Sequence, residues 1–145
     1  MEHFISNKIG RTVVLKLEEG DMVLESIKTL CEKENIKNAV VLSGTGTLSQ
    51  ARVHRISSLE CPPAQMVDTI DNTPLELASL DGFIADGDLH IHCVLGAPGK
   101  VWAGHLMEGC RTEFFGEIVI QELLEINLER HANEKGAPHL FAKSE

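Results

Sequence analysis

The 145-residue sequence is poor in several residue types, and each shortage excludes something. It has no tyrosine and one tryptophan, and aromatic residues make up only 4% of the chain. The core must therefore be built mainly from Val, Ile and Leu. Lys and Arg number 13 against 22 Asp and Glu, which gives a formal net charge of −9. A chain of this charge repels polyanions, and its basic residues do not cluster, so direct DNA binding is not expected.

Cysteine pairs with the CxxC spacing and long apolar runs are also missing. The four cysteines are Cys31, Cys61, Cys93 and Cys110. Their spacing excludes a cysteine zinc finger and predicts small, buried, free thiols in a reducing compartment. The N-terminal MEHFISNKIG has no apolar signal-peptide region, and no stretch approaches the ~20 apolar residues of a membrane span. We therefore expect a cytoplasmic protein that makes no membrane contact.

Hydrophobic residues make up 43% of the chain, and their periodicity predicts mostly strands. RTVVLKL alternates as a strand does, whereas DMVLESIKTLCEKENI has the apolar spacing of one helix, with Asp21 as its expected N-cap. The segments NAVVLSG, TLSQARVHRI, LELASLDGFIA, DLHIHCVL, KVWAGHL and EFFGEIVIQEL all have strand character. The prediction is an α+β fold, in which a mostly antiparallel sheet of about seven strands packs with one main helix.

Turns and loops are expected where glycine, proline and polar residues gather. SSLECPPAQMVDTIDNTP is predicted to be a loop and Asp81-Gly82 a turn. SGTGT (43–47) is also predicted to be a turn, in which the glycines allow a positive φ or close backbone approach. The chain is predicted to be one domain, 1–145, with a core over about 11–122. The polar tail, 123–145, is expected to be a short helix followed by a loose end.

Three of the seven histidines lie in DLHIHCVLGAPGKVWAGHL. On a strand, His90 and His92 share one face, opposite an apolar face that should be buried. A two-residue turn at Pro98-Gly99 pairs Ala97 with Lys100 and therefore His92 with His105, whose Cβ atoms would lie about 5 Å apart. Three imidazoles from adjacent strands would then converge, as in a divalent metal site with an open fourth position.

One alternative to this metal site remains, because the three histidines could be ordinary polar residues on the wet face of a sheet. The other four histidines, His3, His54, His131 and His139, are scattered and are expected to be surface residues. If a metal is bound, Glu76, Asp86 or Glu108 could act as a general base towards a metal-bound water. Zinc is the first expectation for the cofactor, with iron, nickel and manganese left open, because all of them accept imidazole ligands. Trp102 is expected to be a core or interface anchor.

Several motifs in order resemble the PPC domain, the plants and prokaryotes conserved domain. They are VLSGTGTLSQARV, LELASLDGFIADGDLHIHCVL, GKVWAGHLMEG and TEFFGEIVIQE, and the similarity extends from about Arg11 to Gln121. The resemblance implies an α+β homotrimer, metal-containing in members with the histidine pattern, which here matches His90, His92 and His105. Stand-alone members are described as DNA-binding; plant members carry an AT-hook, which this chain lacks.

Three functions are compatible with these observations. The first is a stand-alone, homotrimeric, metal-binding PPC protein with a DNA-binding or regulatory role taken from the family. The second is a metal-dependent enzyme that acts on a small molecule through the three histidines. The third is an interaction module in which the histidines are incidental.

Overall fold

One helix and eight strands make up the regular structure of residues 1–143, which are the residues that the computed structural model describes. The last two positions of the predicted tail, 144–145, lie outside them. In chain order the elements are β1 (Lys8–Glu18), α1 (Val23–Glu34), β2 (Ala39–Ile56), β3 (Gln65–Ala85), β4 (Asp88–Ala97), β5 (Lys100–Leu106), β6 (Arg111–Leu124), β7 (Leu128–Ala132) and β8 (Pro138–Ala142). Among these residues no helix is long and apolar enough to cross a membrane.

The first six strands form one antiparallel sheet in the order β1-β6-β2-β3-β4-β5. β5 also pairs with β2, through Val53 with Leu106 and His54 with His105. Strands β2 to β5 therefore close into a small barrel, and β6 and β1 extend the sheet beyond β2. The predicted α+β class and the mostly antiparallel sheet with one helix are confirmed.

The alternation of side chains along the strands builds the core. β4 buries Ile91, Cys93 and Leu95 and turns its even-numbered side chains outwards. The buried face of α1 consists of Val23, Ile27 and Cys31. Burial of an aliphatic side chain of this size stabilises the fold by about 1.5–3 kcal/mol. The apolar side of β4 therefore holds that strand in one register, with its histidines on the outer surface of the barrel.

Two predictions about buried side chains have mixed outcomes. Trp102 is 7% exposed and belongs to the core, as one of its two expected roles required. Three of the four cysteines are buried, but Cys61 is exposed. The prediction of a buried thiol is wrong for Cys61 because this residue lies in the loop between β2 and β3, outside the sheet.

Helix α1 begins at Val23, and the prediction that Asp21 caps it is wrong. Met22 holds the N-cap position and makes no side-chain capping hydrogen bond. The Asp21 carboxylate instead accepts a hydrogen bond of 2.8 Å from the Glu18 backbone N–H, which closes the turn between β1 and the helix. The helix ends at Asn35, whose left-handed backbone (φ 54°) is typical of helix C-termini.

The predicted β4–β5 hairpin is confirmed, with its register. Ala97 pairs with Lys100 across the turn, and His92 pairs with His105. Gly99 has a φ of 75°, a conformation that an L-residue with a Cβ rarely adopts. Proline before such a glycine is typical of a type II turn, so the local sequence determines the register of this hairpin.

Two predicted turns are strand interiors instead. Asp81 and Gly82 lie within β3, and the chain turns later, at Asp86-Gly87. The SGTGT segment lies within β2, where its glycines allow close approach: a Cβ at Gly46 would lie 2.5 Å from the carbonyl oxygen of Phe115 on β6. Gly46 therefore permits the close approach of two backbones, and Gly44 leaves room for the buried Leu80 side chain.

The long loop and the tail also differ from expectation. β3 begins at Gln65, so the predicted loop 57–74 is strand over its second half. The expected tail helix is wrong, because β7 and β8 pair as an antiparallel hairpin. Asn133 closes that hairpin: its side-chain oxygen accepts hydrogen bonds from the backbone N–H groups of Lys135 and Ala137. An asparagine that bonds its own turn favours a hairpin over a helix.

Replacement of Gly82 by alanine should loosen the contact between β3 and β4. A Cβ at this position would lie 2.3 Å from the carbonyl oxygen of His90 and 2.7 Å from the Cα of Ile91, so the two backbones would have to separate. We expect Gly82→Ala to lower the free energy of unfolding by about 1–3 kcal/mol in urea titrations.

The matched control is Gly96→Ala on β4, where a Cβ would have no neighbour within 4 Å among residues 1–143. Its stability should stay within about 1 kcal/mol of the parent protein. Equal unfolding midpoints for the two variants would contradict the assigned contact.

Candidate metal centre

The three histidines of the predicted site come from the two strands of the β4–β5 hairpin. His90 and His92 are two residues apart on β4 and so point to the same side. His105 on β5 is the direct partner of His92. The strands thus bring together, on the outer surface of the barrel, all three residues that the sequence singled out.

The three imidazoles converge on a common point. The Nε2 atoms of His90 and His92 lie 3.2 Å apart, and their rings stack with centroids separated by 5.1 Å. The His105 ring centroid lies 5.0 Å from that of His90 and 5.6 Å from that of His92. One ligand atom from each residue can be chosen so that all three lie within 4.8 Å of one another. One metal ion could therefore contact all three.

The surroundings favour the uncharged form of the His90 and His105 imidazoles. Burial, together with the neighbouring His90 and His92, whose like charges would repel, lowers the pKa of His105 to about 4. Burial also lowers the pKa of His90, with contributions from Arg130 and His92. Neutral imidazoles keep a free lone pair at neutral pH, which is the form that binds a metal.

A fourth histidine adjoins the cluster, and the expectation that His54 is an isolated surface residue is wrong. His54 is half-buried on β2 and pairs directly with His105. Their ring centroids are 6.1 Å apart, and the rings are nearly perpendicular, at 79°. The expectation of exposed surface positions holds for the other three, His3, His131 and His139.

An arginine from the C-terminal hairpin flanks the other side of the cluster. Arg130 on β7 contacts the carboxylate of Asp88, with its Nε 3.4 Å from Oδ2, and its side chain is only 12% exposed. Asp88 is two residues before His90 on β4, and the positive charge of Arg130 is among the causes that lower the pKa of His90. Arg130 is not among the residues that the sequence singles out, because it lies in the tail that is expected to be a loose end.

The three carboxylates considered as general bases have different positions. Asp86 contacts Lys143, whose hydrogen bond lowers the pKa of Asp86. Glu76 pairs with Gly96, near the far end of β4 from the histidines. Glu108 lines a surface depression together with His105. Of the three, Glu108 is therefore the carboxylate that shares a surface with the cluster.

Comparison with solved structures agrees with the observed fold. The plant- and prokaryote-conserved (PPC) protein of Pyrococcus horikoshii is 30% identical, each chain covers 99% of the other, and the TM-score is 0.82. A metal-containing protein of Archaeoglobus fulgidus has a TM-score of 0.85 and 24% identity, with coverage of 99% of this chain and 100% of that one. The similarity to the Archaeoglobus protein is one of fold.

Sequence comparison connects the chain to a family and to part of a larger protein. The bifunctional protein GlmU of a Synechococcus strain is 29% identical over 121 residues, which are 83% of this chain and 18% of that protein. The chain thus spans less than a fifth of the length of the curated relatives that it matches. The model of the Plants and Prokaryotes Conserved (PCC) domain, the PPC domain of the sequence analysis, matches residues 5–124. The chain belongs to the Plants and Prokaryotes Conserved domain family.

Proposed function

We propose that this protein binds a divalent metal ion, with zinc as the first expectation, through His90, His92 and His105. The distance between the Nε2 atoms of His90 and His92, 3.2 Å, is the observation that carries the proposal. Two nitrogens at 2.0–2.1 Å from a tetrahedral zinc lie about 3.3–3.4 Å apart, so the pair is already spaced as two ligands of one ion. The Archaeoglobus structure of the same fold is described as a metal-containing protein.

A second candidate function is a metal-dependent enzyme that acts on a small molecule. Three protein ligands leave one position of a tetrahedral ion open, as in catalytic zinc sites, whereas structural sites use four. A bound zinc would supply Lewis acidity and a water of lowered pKa there. Glu108, in the depression beside His105, is the carboxylate that could accept a proton. Loss of turnover in His92→Ala would support this function.

We also propose that the chain assembles as a homotrimer, as its family resemblance implies. An apolar row on the outer face of the sheet supports self-association. Val14 on β1 is 68% exposed and pairs with Val119 on β6. On the other side of β6, Val119 pairs with Ser43 on β2, and the adjacent Leu42 is 54% exposed. Exposed apolar groups of this kind favour contact with another protein surface. A mass of one chain, 15.9 kDa, in light scattering would contradict the proposal.

The role that fits a metal-binding trimer with this charge is regulatory or accessory, with little direct affinity for DNA. Affinity for DNA depends on cations that neutralise phosphates, and the formal net charge of this chain is −9. Any association with DNA would then require a basic partner protein.

Removal of one imidazole should remove the metal. We expect protein purified without a histidine tag to carry about one metal ion per chain, measured by plasma mass spectrometry. His92→Ala should lower the affinity for zinc by at least about 100-fold, because even groups that only orient a metal ligand contribute 10–100-fold. His139→Ala, which removes an exposed histidine on β8, should keep the metal. Equal metal contents in the two variants would exclude the site.

The low pKa of His105 predicts that the metal-free protein loses stability in mild acid. The unfolded chain protonates this histidine near its ordinary pKa of 6.5, whereas the folded chain protonates it near about 4. Between these pH values the unfolded state binds more protons, so the free energy of unfolding falls as the pH falls. Urea titrations at about pH 7 and about pH 5 should show a smaller loss for His105→Gln than for the parent protein. An unchanged loss would contradict the shifted pKa.

Direct DNA binding can be tested by gel mobility at low salt. We expect no retarded band with any duplex, because the acidic surface repels phosphates. A retarded band that weakens steeply as salt is raised would show phosphate contacts and would overturn this expectation.

A further inference from the structure

A depression of about 420 Å³ adjoins the histidine cluster and shares His105 with it. Its polar lining residues are Arg52, His54, Gln65, His105 and Glu108. The depression lies next to the cluster because the barrel closes there, where β2 pairs with β5 through His54 and His105. A small molecule in this depression would therefore lie beside any metal that the histidines hold.

Arg52 brings a positive charge to the depression. It is half-buried and, like Arg111, forms no ion pair with any carboxylate of residues 1–143, whereas Arg11, Arg55 and Arg130 do. Of these two, Arg111 donates a hydrogen bond to a serine hydroxyl, whereas Arg52 lines the depression. A guanidinium matches the planar oxygens of a carboxylate or phosphate, to which it donates paired hydrogen bonds.

His54 contributes a second polar group. Its Nε2 is buried and makes no hydrogen bond within the described part of the chain. His54 is not among the three residues whose ligand atoms converge, so it is not placed to bind the same metal ion as they do. A buried imidazole nitrogen without a partner costs free energy, and a ligand oxygen could offset this cost.

We propose that this depression binds a small oxyanion, a molecule with a carboxylate or phosphate group, through Arg52 and His54. The inference deepens the proposed function and rests on it, because the anion would lie beside the metal bound by His90, His92 and His105. Glu108 has the opposite charge and would accept a hydrogen bond from a hydroxyl or amino group of the same ligand. The expected ligand is therefore a small anion that also carries a hydrogen-bond donor.

The negative net charge of the protein makes anion binding a sensitive sign of a local site. A chain of net charge −9 does not concentrate anions at its surface, so measurable uptake of an anion indicates a local site. A volume of about 420 Å³ is within the range of small-molecule sites and suits a metabolite better than a polymer.

Titration calorimetry of the metal-loaded protein with inorganic phosphate and with glycolate tests this site. The two probes distinguish a phosphate from a hydroxy-carboxylate preference. We expect at least one of them to bind, and its Kd to rise about tenfold or more in Arg52→Gln and in His54→Gln, since each variant loses a hydrogen bond to a charged group. The matched control is Arg55→Gln, which removes the same charge from β2 at a residue that pairs with Asp68 and does not line the depression.

Metal content is measured for every sample, so that the two proposals can fail separately. A parent protein that binds no metal would overturn the metal site. Full metal content, with both probes bound as tightly by Arg52→Gln and His54→Gln as by the parent protein, would overturn the anion site alone. Metal-loaded parent protein that binds neither probe would overturn it as well. A weakened affinity in Arg55→Gln equal to that in Arg52→Gln would reduce the effect to general charge and would also overturn it.

Discussion

The pairing of β5 with a strand on each of its edges is the constraint on which the rest of the site depends. One edge of β5 holds His105 opposite His92, and the other holds it opposite His54. A slip of one residue in either pairing would turn His105 towards the core. The buried neighbours of the histidines, Ile91 and Leu106, make such a slip costly because their side chains would become exposed. Packing inside the barrel thus determines which side chains meet outside it.

Charge is distributed unevenly around this surface. The chain as a whole is acidic, but the histidine cluster has Arg130 on one side and the depression with Arg52 on the other. Arg130 contacts the carboxylate of Asp88, and its positive charge opposes protonation of His90. Arg52 has no such match among residues 1–143 and remains available to a ligand. The same side chain type therefore has two different roles at the two ends of the site.

The parts of the site that are close in sequence could be predicted, and the distant parts could not. The Pro98-Gly99 turn determines the β4–β5 register locally, so the convergence of three histidines follows from the sequence. His54 is about fifty positions earlier than His105, and only the closure of the barrel brings the two together. The glycines illustrate a different difficulty, because Gly82 permits the close approach of two backbones and has the same sequence signal as a turn. Composition alone could not show that the polar tail pairs as a hairpin.

The partnership of β1 with β6 has a consequence for how the chain folds. Lys8 pairs with Leu124, so β1 meets its neighbour only after all the residues up to β6 have been made. During synthesis, the apolar face of β1, which includes Leu15 and Leu17, stays exposed in an unpaired strand until β6 is made. Sheets built from such distant segments fold slowly, on the millisecond to second scale, and expose apolar, aggregation-prone surface until they have folded. Until β6 is available, the apolar face of β1 is therefore a surface through which unfinished chains could associate.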